Sequence, residues 1–263
     1  MASSEATDRE HNKATARILR VLSTYVSEAD DFGVSELNQR LGMTKNMVHR
    51  ALTTLAEQGY LIRNKAGRYE LGYRILELQN LAQAEPDFRA LAAPFMRQLY
   101  ELTGESVSLA VRADDFTVFI DAVETRKLGA WRTQIGPLRP LHASASGRVI
   151  LSSLPDADVD SYIERRSPMR LTRPTGVMKP ADLWRSIQNT RQRGYEIARR
   201  GANPVMVAAA FPIGDSEGGL HGVIAVGGPE ERFDPESPRL APTLHALVDD
   251  LRARTKLYAA ESS

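Results

Sequence analysis

The chain has 263 residues, 42% of them hydrophobic and 25% charged, with a net charge of +1 and no cysteine. This length and balance suit one large or two ordinary globular domains, and near-neutrality confines any nucleic-acid surface to a local patch. The lack of cysteine excludes disulfides, zinc ribbons, iron–sulfur clusters and a thiol nucleophile, and no apolar run approaches the ~18–20 residues that span a bilayer.

The polar segment 1–12 has no signal core and reads as a disordered lead-in to a cytoplasmic protein. Residues 13–26 then repeat apolar side chains at helical spacing (Ala14, Ile18, Val21, Leu22, Tyr25), and Asp30, Asp31, Phe32 and Gly33 stop the pattern. A short helix is predicted over residues 34–41, with Ser35 as its cap and Leu37 and Leu41 inward; Gly42 is placed to end it in a left-handed turn. Thr44 is the N-cap expected for a third helix over residues 45–58, whose apolar stripe is Val48, Leu52 and Leu55.

Two short helices joined by a tight glycine turn form a helix-turn-helix, whose second helix enters the major groove by its N-terminal end. That end carries Lys45, Asn46, His49 and Arg50. Lys and Arg bond guanine edges and Asn bonds adenine. Residues 60–63 and 68–71 read as two strands around a turn, a wing carrying Arg63, Lys65 and Arg68. From Val34 to Arg74 seven basic residues stand against three acidic ones, the local positive footprint of a DNA-binding face. Ser35 and Thr44, at the two helix starts, join the expected DNA-binding set. A helical protein-interaction module would share the same element pattern.

The second part reads as α+β. A helix is predicted over residues 87–103, strands over 107–112 and 117–123, and a third strand over 128–135. Helices follow over 146–154, 156–164 and 180–194, then strands over 195–199, 205–213 and 220–226. A final helix, capped by Asp234, is predicted from residue 235 to about residue 258.

At this point the sequence resembles the IclR family of bacterial transcription regulators. The resemblance lies in Ser35 to Met43, Val48-His49-Arg50-Ala51-Leu52, Gly59-Tyr60-Leu61 and Arg68 to Gly72. It continues in Glu101 to Val107, Val118 to Glu124, Arg193-Gly194-Tyr195 and Val223 to Pro229. Its most specific mark is Leu141-His142-Ala143-Ser144-Ala145-Ser146-Gly147-Arg148. The family implies a winged helix-turn-helix at residues 13–72, a linker helix at 73–85, and a GAF-like effector-binding and oligomerisation domain at 86–263. It implies double-stranded DNA and a small organic acid as partners, and a homodimer or dimer of dimers without membrane association.

The resemblance also places the effector. Ala145 and Ser146 match the loop whose backbone N–H groups hold a ligand carboxylate, as a helix N-terminus can. Leu128 and Trp131 match an apolar wall. Ala198 and Ala208 stand where family members often carry an acid and a Cys or Ser, Arg199 and Arg200 where acids are usual, and Met206 joins the same set. These departures point to a larger, flatter acid than glyoxylate, an aromatic one packed on Trp131. Trp131 could equally be core, and Arg199 and Arg200 could equally face solvent or pair with acids.

An enzyme reading is weaker. Gly214-Asp215-Ser216-Glu217-Gly218 has the G-x-S-x-G form, but a nucleophile elbow joins a strand to a helix, and here the flanks read as two strands. The five histidines show no metal-ligand spacing, so no metal, cofactor or catalytic residue is expected. The alternative is a ligand-binding or hydrolytic enzyme with a fused helical interaction module.

Overall fold

The computed structural model describes residues 2–26, 31–82, 86–171, 176–200, 205–214 and 219–261. The chain divides into two compact units, Met1–Ala84 and Glu85–Ser263.

The first unit opens with helix α1 (Ala2–Ser23), followed by a single 3-10 turn. The helix therefore includes the segment expected to be a disordered lead-in. Residues 2–12 hold no glycine or proline, and once a helix is nucleated each further residue is cheap to add. Strand β1 (Asp31–Phe32), helix α2 (Val34–Leu41) and helix α3 (Lys45–Glu57) come next. Strands β2 (Leu61–Arg63) and β3 (Tyr69–Leu71) form the wing, and helix α4 (Arg74–Ala82) closes the unit. The three strands make one antiparallel sheet in the order β1-β3-β2.

The core of this unit is the stripe expected from the sequence. Val48, Leu52 and Leu55 of α3 pack with Leu37, Val21, Phe32, Leu61 and Tyr69. Gly42 ends α2 in the left-handed region, φ 65°, and its N–H returns to the Asn38 carbonyl. Thr44 caps α3 by accepting from Met47 N–H at 3.3 Å. Ser35 does not cap α2: the N-cap is Gly33, which makes no side-chain cap bond, and Ser35 lies inside the helix. At the wing's exit Gly72 donates to the Tyr60 carbonyl at 2.8 Å. A Cβ on Gly72 would lie 2.2 Å from the Gly59 carbonyl oxygen.

The second unit starts with helix α5 (Pro86–Thr103) and the hairpin β4 (Ser106–Ala113) and β5 (Phe116–Val123). After a loop come the short strand β6 (Arg139–Pro140), a 3-10 turn, and helices α6 (Ala145–Ser152) and α7 (Asp156–Arg166). A small hairpin, β7 (Met169–Leu171) and β8 (Gly176–Met178), precedes helix α8 (Pro180–Arg193). Strands β9 (Glu196–Arg200), β10 (Met206–Gly214) and β11 (Leu220–Pro229) and helix α9 (Ala241–Glu261) complete it.

Six strands form one antiparallel sheet, β6-β5-β4-β11-β10-β9. Both faces of its middle are buried. Val207, Ala209, Phe211 and Ile213 of β10 pack in one core with Phe95 and Leu99 of α5 and Val248 and Leu251 of α9. Their neighbours Ala208 and Ala210 join the other, with α6, α7 and α8. The period-2 alternation thus sorts large side chains to the α5/α9 face and small ones to the α6 face.

Two expected elements differ. Residues 128–135 form no strand: Gly129 takes φ 69°, and Leu128 is 93% exposed with its carbonyl accepting from Arg232. The last helix begins at Ala241 rather than residue 235. Pro238 lacks the N–H a helix from residue 235 would need, so Asp234 caps a turn instead, accepting from Glu236 N–H at 3.1 Å.

Helix α6 is tied to β9 by a buried ion pair. Arg148 Nε donates to Glu196 Oε1 at 2.9 Å, with side chains 8% and 5% exposed. Glu196 also accepts from the Ser186 and Thr190 hydroxyls of α8. Two stability predictions follow from these contacts. Glu196→Ala leaves the Arg148 guanidinium buried without its counter-charge and should cost about 3–5 kcal/mol, read as a lower urea midpoint of the full-length protein. Gly72→Ala should cost about 1–3 kcal/mol, the usual range for overpacking; an unchanged melting curve would show that the wing can move aside without loss.

Candidate nucleic-acid interface and ligand pocket

In the first unit, α3 buries Val48, Ala51, Leu52 and Leu55 and turns Lys45, Asn46, His49 and Arg50 outward. The spacing requires this, since residues three and four apart share a helix face. No ion pair or side-chain hydrogen bond engages these four side chains within the described residues. The helix start is rigidly set by Thr44, so the four polar groups stand on a fixed, solvent-facing surface.

The wing's cations are used differently from one another. Arg68 is held within the domain: its Nε meets Asp31 Oδ1 at 2.6 Å and its Nη2 meets Glu36 Oε2 at 2.8 Å. That guanidinium, and after it the Asn64 amide, hold the Asp31 carboxyl below the ordinary carboxylate range. Asn64 shapes the turn, accepting from Ala66 N–H and Arg68 N–H at 3.1 Å each. Arg63 Nε donates to the Gly67 carbonyl at 3.3 Å and its guanidinium lies 5.9 Å from the Tyr69 ring centre. Lys65 is exposed at the tip. The sequence showed three wing cations as equals. Their division depends on Asp31 and Glu36, which are distant in sequence and meet Arg68 only in the folded unit.

In the second unit a cleft opens between the α6 face of the sheet, the start of α6 and the loop before β6, with about 530 Å³ of unfilled space, its mouth included. Its floor is a row of small residues in register across four strands: Ala198, Ala208, Gly227 and Ser106. Three interstrand spacings make this row about 14 Å long. Ala225 and Ser108, paired on β11 and β4, extend it. Trp131 lies over Gly227, its ring atoms 3.3 Å from where a Cβ would sit, so only glycine leaves that contact free. Phe119, Arg139 and the first turn of α6 (Ala145, Ser146) complete the wall.

Of the effector positions inferred from the sequence, the cleft brings together Trp131, Ala145, Ser146, Ala198 and Ala208. It does not include Leu128, Met206 or Arg199. Leu128 points to solvent. Arg199 pairs with Glu230 at 2.9 Å and approaches Glu236 at 3.6 Å; in the antiparallel strand its neighbour Ala198 takes the pocket face instead. Sequence reasoning missed Arg139, Ser106, Ser108 and Phe119. Nothing local marks them, because they reach the cleft through strand pairing.

His142 is not a free base. It is 2% exposed. Its Nδ1 lies 2.7 Å from the Tyr162 hydroxyl and its Nε2 3.0 Å from the Arg170 carbonyl. A carbonyl only accepts, so Nε2 carries the proton and Nδ1 accepts from Tyr162. Burial pushes the imidazole pKa down and lifts the Tyr162 hydroxyl to about 12. The pair anchors the turn that leads into α6. Ser216 lies outside the described residues; the strands on either side of it, β10 and β11, pair antiparallel. Among the described residues no cluster could hold a metal ion, and no helix is long and apolar enough to cross a membrane.

Comparison with known proteins agrees with this anatomy. Residues 14–65 match the IclR helix-turn-helix domain, and residues 82–253 match the bacterial transcriptional regulator IclR C-terminal domain. The chain is 30% identical to the HTH-type transcriptional regulator KipR of Bacillus subtilis over 84% of its own length and 88% of that protein. It is 29% identical to the acetate operon repressor of Salmonella typhimurium over 70% of this chain and 68% of that one. Among solved structures, the Thermotoga maritima IclR aligns with a TM-score of 0.70 at 22% identity, covering 93% and 99% of the two chains. An IclR homologue from Microbacterium hydrocarbonoxydans complexed with 4-hydroxybenzoate aligns with a TM-score of 0.75 at 24% identity, covering 91% and 99%. The curated relatives are named as regulators and repressors of transcription, not as enzymes. The chain therefore belongs to the IclR family of bacterial transcription regulators.

Proposed function

We propose that this regulator binds a palindromic operator as a homodimer or dimer of dimers, and that a small aromatic acid in the second unit's cleft sets its DNA affinity. The observation that carries the DNA half is the outward face of α3, where Lys45, Asn46, His49 and Arg50 stand exposed and, among the described residues, without partners. A recognition helix enters the major groove by this end, and two-fold pairing spaces two such helices by one turn of DNA or a multiple of it. Lys45, Asn46 and Arg50 read base edges, with His49 beside them. Thr44 and Ser35, both exposed, offer hydroxyls to the backbone. Arg63 and Lys65 take phosphate or the minor groove, and Arg68 holds the wing in place through Asp31 and Glu36.

The ligand half rests on the cleft. Its small-residue floor and Trp131 suit a flat molecule, and the homologue crystallised with 4-hydroxybenzoate shares the fold. Residues 13–72 serve as the DNA-binding domain, 73–85 as the linker and 86–263 as the effector and oligomerisation domain, acting in the cytoplasm. A ligand alters operator affinity only through its different affinities for the two arrangements, typically by 1–3 kcal/mol, and the linker helix α4 is the natural lever.

Gel retardation on the DNA upstream of the protein's own gene tests the reading. Arg50→Ala should weaken specific binding by about 1–3 kcal/mol and relax the preference at one base position; unchanged affinity would place the reading surface elsewhere. Lys65→Ala should lower the salt slope of binding by about one. Arg68→Ala should instead lower the melting temperature and leave the slope nearly intact, and an equal loss of slope in both variants would return Arg68 to the DNA surface.

A further inference from the structure

The cleft has an uneven electrical character. Arg139 is the one ionisable side chain among its described lining residues. It sits on β6 at the edge of the sheet, opposite Thr117 of β5, with its guanidinium carbon 5.4 Å from the centre of the Phe119 ring. No carboxylate and no hydrogen-bond acceptor engages it within the described residues. Burial alone depresses its pKa, with no acid near enough to oppose the effect. The half-buried guanidinium thus keeps N–H donors available to a molecule that enters the cleft.

Two serines of low exposure share the cleft. Ser146 is 2% exposed and Ser108 is 5% exposed. Both line the space, and among the described residues neither hydroxyl has a hydrogen-bond partner. Ser106 and Ser144, by contrast, are in use: the Ser106 hydroxyl accepts from Thr125 N–H and the Ser144 hydroxyl from Gly147 N–H. The first-turn N–H groups of Ala145 and Ser146 have no acceptor four residues earlier in the helix, and they add positive potential at the start of α6. Here one cation, two hydroxyls and a helix start are left open towards one space. The floor beneath them is flat.

We infer that Arg139 is the charge-reading residue of the effector cleft, and that the cleft takes an aromatic monocarboxylate whose carboxylate lies between Arg139 and the first turn of α6. The inference rests on the reading of the cleft as an effector site and adds to it the residue that selects the charge. The ring lies on the floor of Ala198, Ala208, Ala225 and Gly227, and Trp131 covers it. Ser108, on the central strand β4, offers its hydroxyl to a ring substituent that can hydrogen-bond. One cation and no second one means one negative charge: the second carboxylate of a diacid would lie over alanines without a partner.

The experiment is calorimetric titration of the full-length protein with benzoate, 4-hydroxybenzoate and phenylacetate, each beside its carboxamide, and with terephthalate. Wild type should bind at least one of the monoacids, and bind the matching amide at least about tenfold more weakly. Arg139→Gln should lose about 10- to 100-fold in affinity for that acid, the scale of a hydrogen bond to a charged group, with amide binding unchanged. Arg139→Lys should recover part of the loss. Retained amide binding and an unchanged melting curve show that the variant is folded; Arg139→Met, which keeps the apolar stem over Phe119, serves if the Gln variant does not fold. Equal acid affinity in wild type and in a folded Arg139 variant overturns this assignment and leaves the effector site standing. Terephthalate binding as tightly as the best monoacid overturns the single-charge assignment. Failure of every acid to bind wild type overturns both this inference and the acid-effector reading.

Discussion

The buried ion pair between Arg148 and Glu196 holds the wall of the second unit's cleft in place. It joins α6 to β9 where both side chains are below a tenth exposed, and the Ser186 and Thr190 hydroxyls bring α8 into the same knot. Two charges out of water need this many partners, because unpaired they would cost several kcal/mol. Arg148 also reaches the His142 carbonyl at 3.4 Å, and His142 is in turn pinned to Tyr162 and Arg170. The segment that carries residues 142 to 148 is thereby fixed at several points. Its first helical turn is a wall of the cleft, so the charges that hold the fold also fix that wall.

The same sheet carries two kinds of packing. On the α5/α9 face the strands present Val207, Phe211, Ile213, Ile224 and Val226, and the layer is filled. On the α6 face they present Ala198, Ala208, Ala225, Gly227 and Ser108, and where α6 ends its cover the layer is left open. A row of side chains no larger than serine cannot close the gap between a sheet and its covering elements, which commonly lie about 10 Å apart. The cleft therefore follows from residue size in register. Arg139, the one ionisable side chain among its described lining residues, stands at its edge.

The N-terminal unit follows the same logic with cations. A positive surplus becomes a recognition surface only where the charges are not consumed at home. On α3 the hydrophobic stripe faces inward and the polar residues are left for an outside partner. In the wing Asp31 and Glu36 consume Arg68 and leave Lys65 exposed. Which wing cations are paired within the domain and which stay exposed is thus set by two acids from other elements.

Much of this was legible in the chain itself. Helical spacing placed α3 and its core stripe, Thr44 and Gly42 marked its boundaries, and Leu141 to Arg148 pointed to the family and to the helix start at the cleft. These are local signals, fixed by backbone geometry over one or two turns. The failures are also physical. Apolar and β-favouring residues around Trp131 suggested a strand over 128–135, but the positive φ at Gly129 and the hold of Arg232 on the Leu128 carbonyl make a loop. Ser35 looked like a cap, yet Gly33 takes that position. The resemblance grouped Leu128, Met206 and Arg199 with the cleft, while leaving open that Arg199 pairs with an acid, and strand alternation and the pull of Glu230 do send Arg199 outward. The sequence by itself determined that a helix capped by Thr44 with a basic first turn, and a helix start near Ser146, exist. Only the tertiary structure decided which cations remain available and that Arg139 faces a row of small residues, because both depend on which strands pair in register and which acids approach from elsewhere in the chain.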